Sequence, residues 1–343
     1  MIWVEYLLFF SASFGISWLI SPMLPGLLER RGILDHKSLP VRRPTAGGIA
    51  IIIPFLVVLG VVAFFNPLSM NSLPRPLIGL FFSCSLIAAL GFYDDTRGAS
   101  PIAKLAVQAV AGLILVAAGI EMGPLTNPLS QQVPLGMAGN LVLILWVLVI
   151  TNSVNLIDGI DGLASGISLI SAITLFTIAH FFGENTLSAL SITLAGALFG
   201  FIRFNLPPAK IFLGDTGSLF LGFVLAAISV MERRKGSVTV TLLLPIVILA
   251  IPVIDAILAF FRRVGRGQNP MNGDREHLHH RLVRLGLSDT QVNMMMYLFC
   301  IYLGVTAGVL AFMPKETAMV VLVLLGLGIL IGMEILRTVE RGK

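Results

Sequence analysis

Charge is scarce in this chain. Asp, Glu, Lys and Arg make up 12% of its 343 residues, about half the share found in soluble globular proteins, which excludes a water-facing surface around most of the molecule. Cysteine is scarcer still. Its two copies, Cys84 and Cys300, both lie in apolar runs, so they read as small hydrophobes and exclude a disulfide framework or a cysteine-based metal site. Neither a Gly-x-x-x-x-Gly-Lys-Ser/Thr phosphate loop nor a Gly-x-Gly-x-x-Gly turn occurs, which leaves ATPase and dehydrogenase readings without support. Internal repeats and low-complexity linkers are also missing, so residues 1–343 read as a single integral domain. The N-terminus lacks the basic stretch and small-residue cleavage site of a signal peptide. Glu5 stands there instead, and the segment reads as an uncleaved first span.

Hydrophobic residues, by contrast, reach 56%. They fall into runs too long for barrel strands, and backbone groups in lipid must be paired within their own segment, so the runs are helices. The expectation is an all-α, polytopic integral membrane protein of about 10–11 transmembrane helices of about 20 residues each. The runs centre on residues 2–20, 47–65, 75–92, 101–120, 139–152, 163–182, 187–203, 216–231, 238–260, 291–312 and 317–336. Pro245 and Pro252 predict a kink or break in the ninth.

Of the 23 Lys and Arg residues, 18 fall in loops on one side of this arrangement. The positive-inside rule makes that side cytoplasmic, with the N-terminus outside. The cluster Glu232–Lys235 is a local exception. The net charge of +5 does not imply nucleic acid, because the basic residues sit in short loops between spans. The bilayer is the partner that the composition demands.

Parity carries the main inference. Five loops hold unusual chemistry: Asp35–Gly48, Tyr93–Lys104, Asn152–Gly166, Phe204–Ser218 and Arg262–Arg284. They follow spans one, three, five, seven and nine, so all five emerge on the same, cytoplasmic face and can converge. The segment Asn152–Gly166 carries Asn152, Asn155, Asp158, Asp161 and three glycines between apolar flanks. A capping turn needs one or two such residues, and polar groups this close to lipid mark a site. Asp94 and Asp95 are adjacent carboxylates that need a cation or protons to relieve their repulsion; a hard divalent ion such as Mg²⁺ suits them. Lys104, ten residues on, is placed to meet a phosphate or to snorkel to the interface.

In Gly214-Asp-Thr-Gly-Ser218, Asp215 heads the next span, as a metal-holding carboxylate or as a simple helix cap. His277, His279 and His280 fall within four positions. Their spacing fits no common zinc pattern, whereas imidazoles beside Arg262, Arg275 and Arg281 fit phosphate binding. Asp255, within the ninth span, has Arg262 as a candidate partner. Carboxylates, basic groups and histidines on one face, with hydrocarbon alongside, suit metal-assisted phosphoryl transfer.

These residues resemble the polyprenyl-phosphate N-acetylhexosamine-1-phosphate transferases of glycosyltransferase family 4. The likeness rests on Asp94-Asp95 with Ser100-Pro101 and Lys104, on Asn155-Leu-Ile-Asp-Gly-Ile-Asp-Gly-Leu-Ala164, on Phe204-Asn205 through Pro208-Ala-Lys-Ile-Phe-Leu-Gly-Asp-Thr-Gly-Ser218, and on His277-Leu-His-His280 preceded by Arg262. It runs in order over residues 35–285. It implies transfer of a sugar 1-phosphate from a UDP-N-acetylhexosamine to undecaprenyl phosphate with release of UMP, dependence on Mg²⁺ (or Mn²⁺), and a bacterial cytoplasmic (inner) membrane setting at the start of cell-envelope glycan synthesis.

The His-x-His-His pattern is closer to the initiators of O-antigen (lipopolysaccharide) and common-antigen synthesis than to the phospho-MurNAc-pentapeptide transferases, which remain the alternative. Two segments depart from the family pattern. The first inner loop is shorter than expected, leaving the roles of Lys37, Arg42 and Arg43 open, and Gly265–Gly273 carries no readable sugar code.

The resulting assignment has Asp215, with Asp94 or Asp95, holding the metal. Asp94 deprotonates or positions the lipid phosphate for in-line attack, with a covalent aspartyl-phosphate as the alternative. Asn155, Asp158 and Asp161 shape the nucleotide pocket with Asn205. His277, His279, His280 and Arg262 bind phosphate charge, assisted by Lys104, and Asp158, Asp161, His279 and His280 count with Asp94 and Asp95 among the catalytic candidates. The rival from another class is an ion-coupled transporter, which would place its carboxylates near the midplane of related halves. A homodimer is compatible with the chain, but nothing in the sequence specifies one.

Overall fold

The computed structural model describes residues 2–34, 43–65, 74–122, 125–126, 132–133, 135–231, 243–265, 267 and 277–341. Lys37, Arg42, the Glu232–Lys235 cluster, Asp274, Arg275 and most of Gly265–Gly273 lie outside these. The chain forms α1 (Ile2–Ile20), α2 (Leu24–Arg30), α3 (Ile49–Phe65), α4 (Pro74–Arg97) and α5 (Pro101–Ala117), then a minimal antiparallel hairpin of β1 (Leu125–Thr126) and β2 (Gln132–Val133). Next come α6 (Met137–Ile157), α7 (Leu163–Phe181), α8 (Asn185–Asn205), α9 (Gly214–Val230), α10 (Leu243–Ile248), α11 (Ala250–Gly265), α12 (Leu278–Arg284), α13 (Asp289–Leu310) and α14 (Lys315–Arg341).

Among the described residues seven helices are long and apolar enough to cross a membrane, and α3, α5 and α9 are shorter apolar helices. The protein is an all-α, multi-pass membrane protein, and a helix fills each of the eleven expected runs. The ninth is divided between α10 and α11 at Leu249, between the two prolines that predicted a break. α2 and α12 are additional short helices.

Local signals explain several starts. Ser100 accepts from the Ala103 N–H with Pro101 at the first helical position, and Ser288 forms a reciprocal capping box with Gln291. Polar residues were expected to end several spans, yet α4 continues to Arg97, α6 to Ile157 and α8 to Asn205. Asp94, Asp95, Asn152 and Asn155 are therefore helical, not loop, residues.

Helix α9 is the centre. Every residue from Thr216 to Val230 is buried, and α4 and α6 pack along it. Such proximity in lipid depends on small residues at the crossings. A Cβ on Gly48 would land on the Gly217 backbone, one on Gly91 would come 2.6 Å from Thr216 Cα, and one on Gly222 would come 2.6 Å from Thr151 Cα. Hydroxyls and amides add cross-helix bonds: Ser17 Oγ donates to the Ala197 carbonyl (2.7 Å), Trp146 Nε1 to Ser229 Oγ (3.1 Å) and Asn152 Nδ2 to Gln108 Oε1 (2.7 Å). At the periphery α14 turns Val320, Leu324, Leu327, Leu330 and Ile331 outward, as a lipid-facing helix should.

The α6–α9 crossing gives a direct test. Gly222→Ala should lower the thermal midpoint in detergent, because overpacking against backbone costs about 1–3 kcal/mol. Gly15→Ala, whose Cβ would meet nothing within 4 Å, should leave the midpoint unchanged or raise it.

Candidate active site

The ends of α4, α6 and α8, the start of α9 and the segment before α3 meet at one end of the bundle. They surround a cavity of about 610 Å³ lined by Thr45, Asp94, Asp95, Asp158, Asp161, Asn205 and Asp215, with Leu34, Arg97 and Phe212 at its sides. Four of the five loops that follow odd-numbered spans supply lining residues; none of the described residues of the fifth, Arg262–Arg284, lines this cavity.

The two adjacent carboxylates of α4 have different posts. Asp95 accepts four hydrogen bonds: Thr45 Oγ1 (3.3 Å) and the Asp215 N–H (2.9 Å) on Oδ1, and the Thr216 N–H (2.9 Å) and Thr216 Oγ1 (2.5 Å) on Oδ2. It caps the first turn of α9 from another helix, satisfying amides that would otherwise lack a partner. Asp95, expected to join Asp94 as a metal ligand and catalytic group, spends both of its oxygens on these four bonds to Thr45 and the start of α9. The Asp94 side chain is 8% exposed; its Oδ1 accepts the Ala99 N–H at 2.6 Å and its Oδ2 lies 2.6 Å from Lys104 Nζ. Lys104 Nζ is also 2.6 Å from Asp215 Oδ2. Lys104 thus sits between two carboxylates.

The turn after α6 supplies two more. Asp158 follows the last residue of α6, and no described residue donates a hydrogen bond to its carboxylate. Burial, reinforced by the carboxylates of Asp95 and Asp161, pushes its pKa up to about 8. Asp161 is held by Arg43 Nη1 at 3.0 Å and by the Ala209 N–H at 2.9 Å, while its backbone carbonyl accepts from Asn293 Nδ2 at 2.7 Å. It joins the segment before α3, the α8–α9 loop and α13.

Asn205 accepts from Ser165 Oγ (2.7 Å) and donates to the Ile211 carbonyl (3.1 Å), bracing the wall from a buried position. Asn155 accepts from Ser218 Oγ at 2.7 Å, so its amide ties α6 to α9 beside the cavity without lining it. Asn152 is engaged with Gln108 one turn deeper.

The histidine segment packs on this turn. His279 is 1% exposed with neither ring nitrogen partnered, and its Nε2 occupies the space that a Cβ on Gly159 would need. Burial, with a smaller contribution from His280, lowers its pKa to about 3, so it is a neutral imidazole near pH 7 and not the cation that phosphate binding would favour. His280 neighbours it, ring centroids 4.2 Å apart. The buried His277 Nδ1 lies 3.1 Å from Asp255 Oδ2, which makes His277, not Arg262, the carboxylate's partner.

On the far side of Asp255 a second, mainly apolar cavity of about 720 Å³ runs between α11, α13 and α14. Its walls include Ile251, Leu258, Phe299 and Leu325, and Arg262 and Arg281 also line it.

Sequence reading did not single out Thr45, Thr216 or Tyr297. Tyr297 donates to the Gly162 carbonyl at 2.6 Å. The available signal was a phenol in an apolar span, which must find an acceptor.

Two carboxylate oxygens, from Asp94 and Asp215, thus converge on one cation position. That donor set fits Mg²⁺, which is held by one or two carboxylates and completes its shell with waters and substrate phosphates. Among the described residues no group of three or more His, Cys, Asp or Glu is poised around a metal, so a closed cage of the zinc type is not offered.

A family model described as glycosyl transferase family 4 matches residues 77–233. The chain is 33% identical over 299 residues to a Bacillus subtilis (strain 168) protein named probable undecaprenyl-phosphate N-acetylglucosaminyl 1-phosphate transferase, covering 85% of this chain and 81% of that one. It is 32% identical over 309 residues to the decaprenyl-phosphate N-acetylglucosaminephosphotransferase of Mycobacterium tuberculosis (strain ATCC 25618 / H37Rv), covering 81% and 75%. To the undecaprenyl-phosphate alpha-N-acetylglucosaminyl 1-phosphate transferase of Escherichia coli (strain K12) it is 27% identical over 314 residues, covering 87% and 82%.

The contrast between the paired aspartates is measurable. Asp95→Ala strands the amides of α9 and should cost about 1–3 kcal/mol of stability for each buried donor left unsatisfied. Its thermal midpoint should fall well below that of Asp94→Ala; equal midpoints would refute the capping role.

Proposed function

Because the chain belongs to the polyprenyl-phosphate N-acetylhexosamine-1-phosphate transferase family, we propose that it transfers N-acetylglucosamine 1-phosphate from UDP-N-acetylglucosamine to undecaprenyl phosphate. An oxygen of the lipid phosphate attacks the sugar-proximal phosphorus, the bond to the UMP oxygen breaks, and UMP leaves with its electron pair. The product is undecaprenyl-diphosphate-N-acetylglucosamine. One observation carries the assignment of residues: Asp94 Oδ2 and Asp215 Oδ2 both lie 2.6 Å from a single cationic atom at a cavity of a size that suits a nucleotide-sugar.

In this reading Asp94 and Asp215 hold Mg²⁺, with Mn²⁺ able to replace it. When bound, the ion neutralises charge on the diphosphate, which is where phosphoryl transfer needs help. Lys104 is within reach of a phosphate entering between the same two carboxylates. Asp94, fixed by the Ala99 N–H, orients or deprotonates the acceptor phosphate for in-line attack. Asp158 and Asp161, held on the turn between α6 and α7, shape the donor pocket with Asn205. His279, neutral and unpartnered, offers a hydrogen bond at the wall of that pocket. The apolar cavity between α11, α13 and α14 matches an isoprenoid chain in chemistry, with Arg262 and Arg281 lining it where an anionic head group would lie.

The charge distribution supports a cytoplasmic active site with the N-terminus outside, in the inner membrane of a bacterium. The His-x-His-His pattern supports a role in starting O-antigen, common-antigen or a related envelope glycan.

Purified protein given UDP-N-acetylglucosamine, undecaprenyl phosphate and Mg²⁺ should release UMP. Asp94→Asn and Asp215→Asn should each reduce kcat at least about 100-fold, the scale of losing a charge-stabilising group in a transition state. Asp215→Asn should also shift the Mg²⁺ requirement upward. Wild-type turnover by both variants, or full activity in excess chelator, would overturn the assignment.

Asp158 gives a pH signature. Its raised pKa keeps it protonated at neutrality, and ionisation near pH 8 adds a negative charge to a cavity that must accept a diphosphate. KM for the UDP-sugar should therefore rise between pH 7 and 9, and Asp158→Asn should flatten that limb; an unchanged limb would dissociate the effect from Asp158.

A further inference from the structure

Asp255 takes no part in the reaction just described, yet it is 3% exposed in α11 with both oxygens committed. Its Oδ2 lies 3.1 Å from His277 Nδ1, and its Oδ1 accepts the Leu278 N–H at 2.9 Å. His277 is the residue before α12, with an extended backbone (φ −60°, ψ 152°), and its own side chain makes no cap. The first amide of α12 is therefore capped from α11. On that first turn the His279 ring lies parallel to the His277 ring, centroids 5.8 Å apart. Its Nε2 rests against Gly159 in the cavity wall, and neither nitrogen has a partner. A single carboxylate thus fixes both the ring of one histidine and the backbone that carries another to the donor pocket.

We propose that Asp255 is a positioning residue for the transfer reaction, acting through His277 and the Leu278 N–H to place His279 against the Asp158–Asp161 turn. The proposal rests on the transferase reading above. A bonded Asp255 requires a proton on His277 Nδ1, as when a carboxylate orients an imidazole through one ring nitrogen. Asp255→Asn tests this at nearly constant volume. The amide has one oxygen for two donors, so keeping the Leu278 bond turns its NH₂ toward His277 Nδ1 and drives the proton to Nε2.

The experiment combines UMP-release kinetics of Asp255→Asn, His277→Ala and the double variant with thermal midpoints and ¹⁵N NMR of histidine-labelled protein. Expected are a fall in kcat of about 10–100-fold, the scale for losing a residue that orients a functional imidazole, and a KM for the UDP-sugar within about twofold of wild type. The double variant should be no slower than the slower single, because the two residues act as one unit. NMR should find the His277 proton on Nδ1 in wild type and on Nε2 in Asp255→Asn.

Wild-type kcat in Asp255→Asn, multiplicative losses in the double variant, or a drop in midpoint with kcat per folded enzyme intact would each overturn the proposal. A wild-type His277 protonated on Nε2 alone would do so as well, and needs no variant to fold. Absence of UMP release from the wild type would instead defeat the transferase reading, leaving the NMR result to decide the dyad.

Discussion

The site depends on the cap that Asp95 places on α9. Four donors from Thr45, Asp215 and Thr216 converge on one carboxylate, and charge-assisted bonds to backbone amides are among the strongest that a helix end can make. The cap fixes α4 against the first turn of α9 and joins the segment before α3 to both. Asp94 is the next residue back along α4, about 100° around the helix, so pinning Asp95 also aims Asp94. Asp215 donates its own N–H to Asp95 while its carboxylate points to Lys104. The separation of the two carboxylates is therefore set by backbone, not by flexible side chains, as positioning for phosphoryl transfer demands.

This pin works only where backbones come unusually close. Gly214 has φ +73°, and a Cβ there would meet Asp95 Oδ2 and come within 2.6 Å of Thr45 Oγ1. Gly91 lets the last turns of α4 lie on the Asp215–Thr216 backbone, and Gly48 does the same for the entry to α3. Without side chains at these points, three chain segments meet at the distance that a carboxylate spans. The glycines of the Gly-Asp-Thr-Gly-Ser stretch serve packing at least as much as flexibility.

Much of this was legible in the sequence because apolar runs and lipid obey one rule: a span pairs its own backbone. The eleven runs and the shared face of the odd-numbered loops follow from it. Helix ends were less legible. Hydropathy drops at Asp94 and Asn152, but a helix needs only partners for its polar side chains, and Lys104, Gln108 and Ser218 provide them. Two neighbouring aspartates are equivalent on paper, and only the position of α9 makes one a cap and the other a cation-facing group. Asp255 and His277 were both visible as anomalies, yet they lie 22 residues apart on different elements, with no periodicity to connect them. The two short helices α2 and α12 escaped because seven residues carry too little pattern.

Charge decides how such a site can exist beside hydrocarbon. Five carboxylates, Asp94, Asp95, Asp158, Asp161 and Asp215, line one cavity, and like charges at this density are strongly unfavourable in a low dielectric. Asp158 escapes by staying protonated. Lys104 pairs with Asp94 and Asp215 and Arg43 with Asp161, while Arg97 at the side of the cavity places its guanidinium over the Tyr93 ring at 6.0 Å. Among the described residues, Asp95 is then the one ionised carboxylate of the cavity with no cationic partner, and its four hydrogen bonds take that place. Lys104 supplies the positive charge between Asp94 and Asp215, whose carboxylate oxygens each lie 2.6 Å from its Nζ. In the proposed reading, a metal held by Asp94 and Asp215 would take the position that the Lys104 ammonium fills here, and Lys104 would then be placed to meet a phosphate.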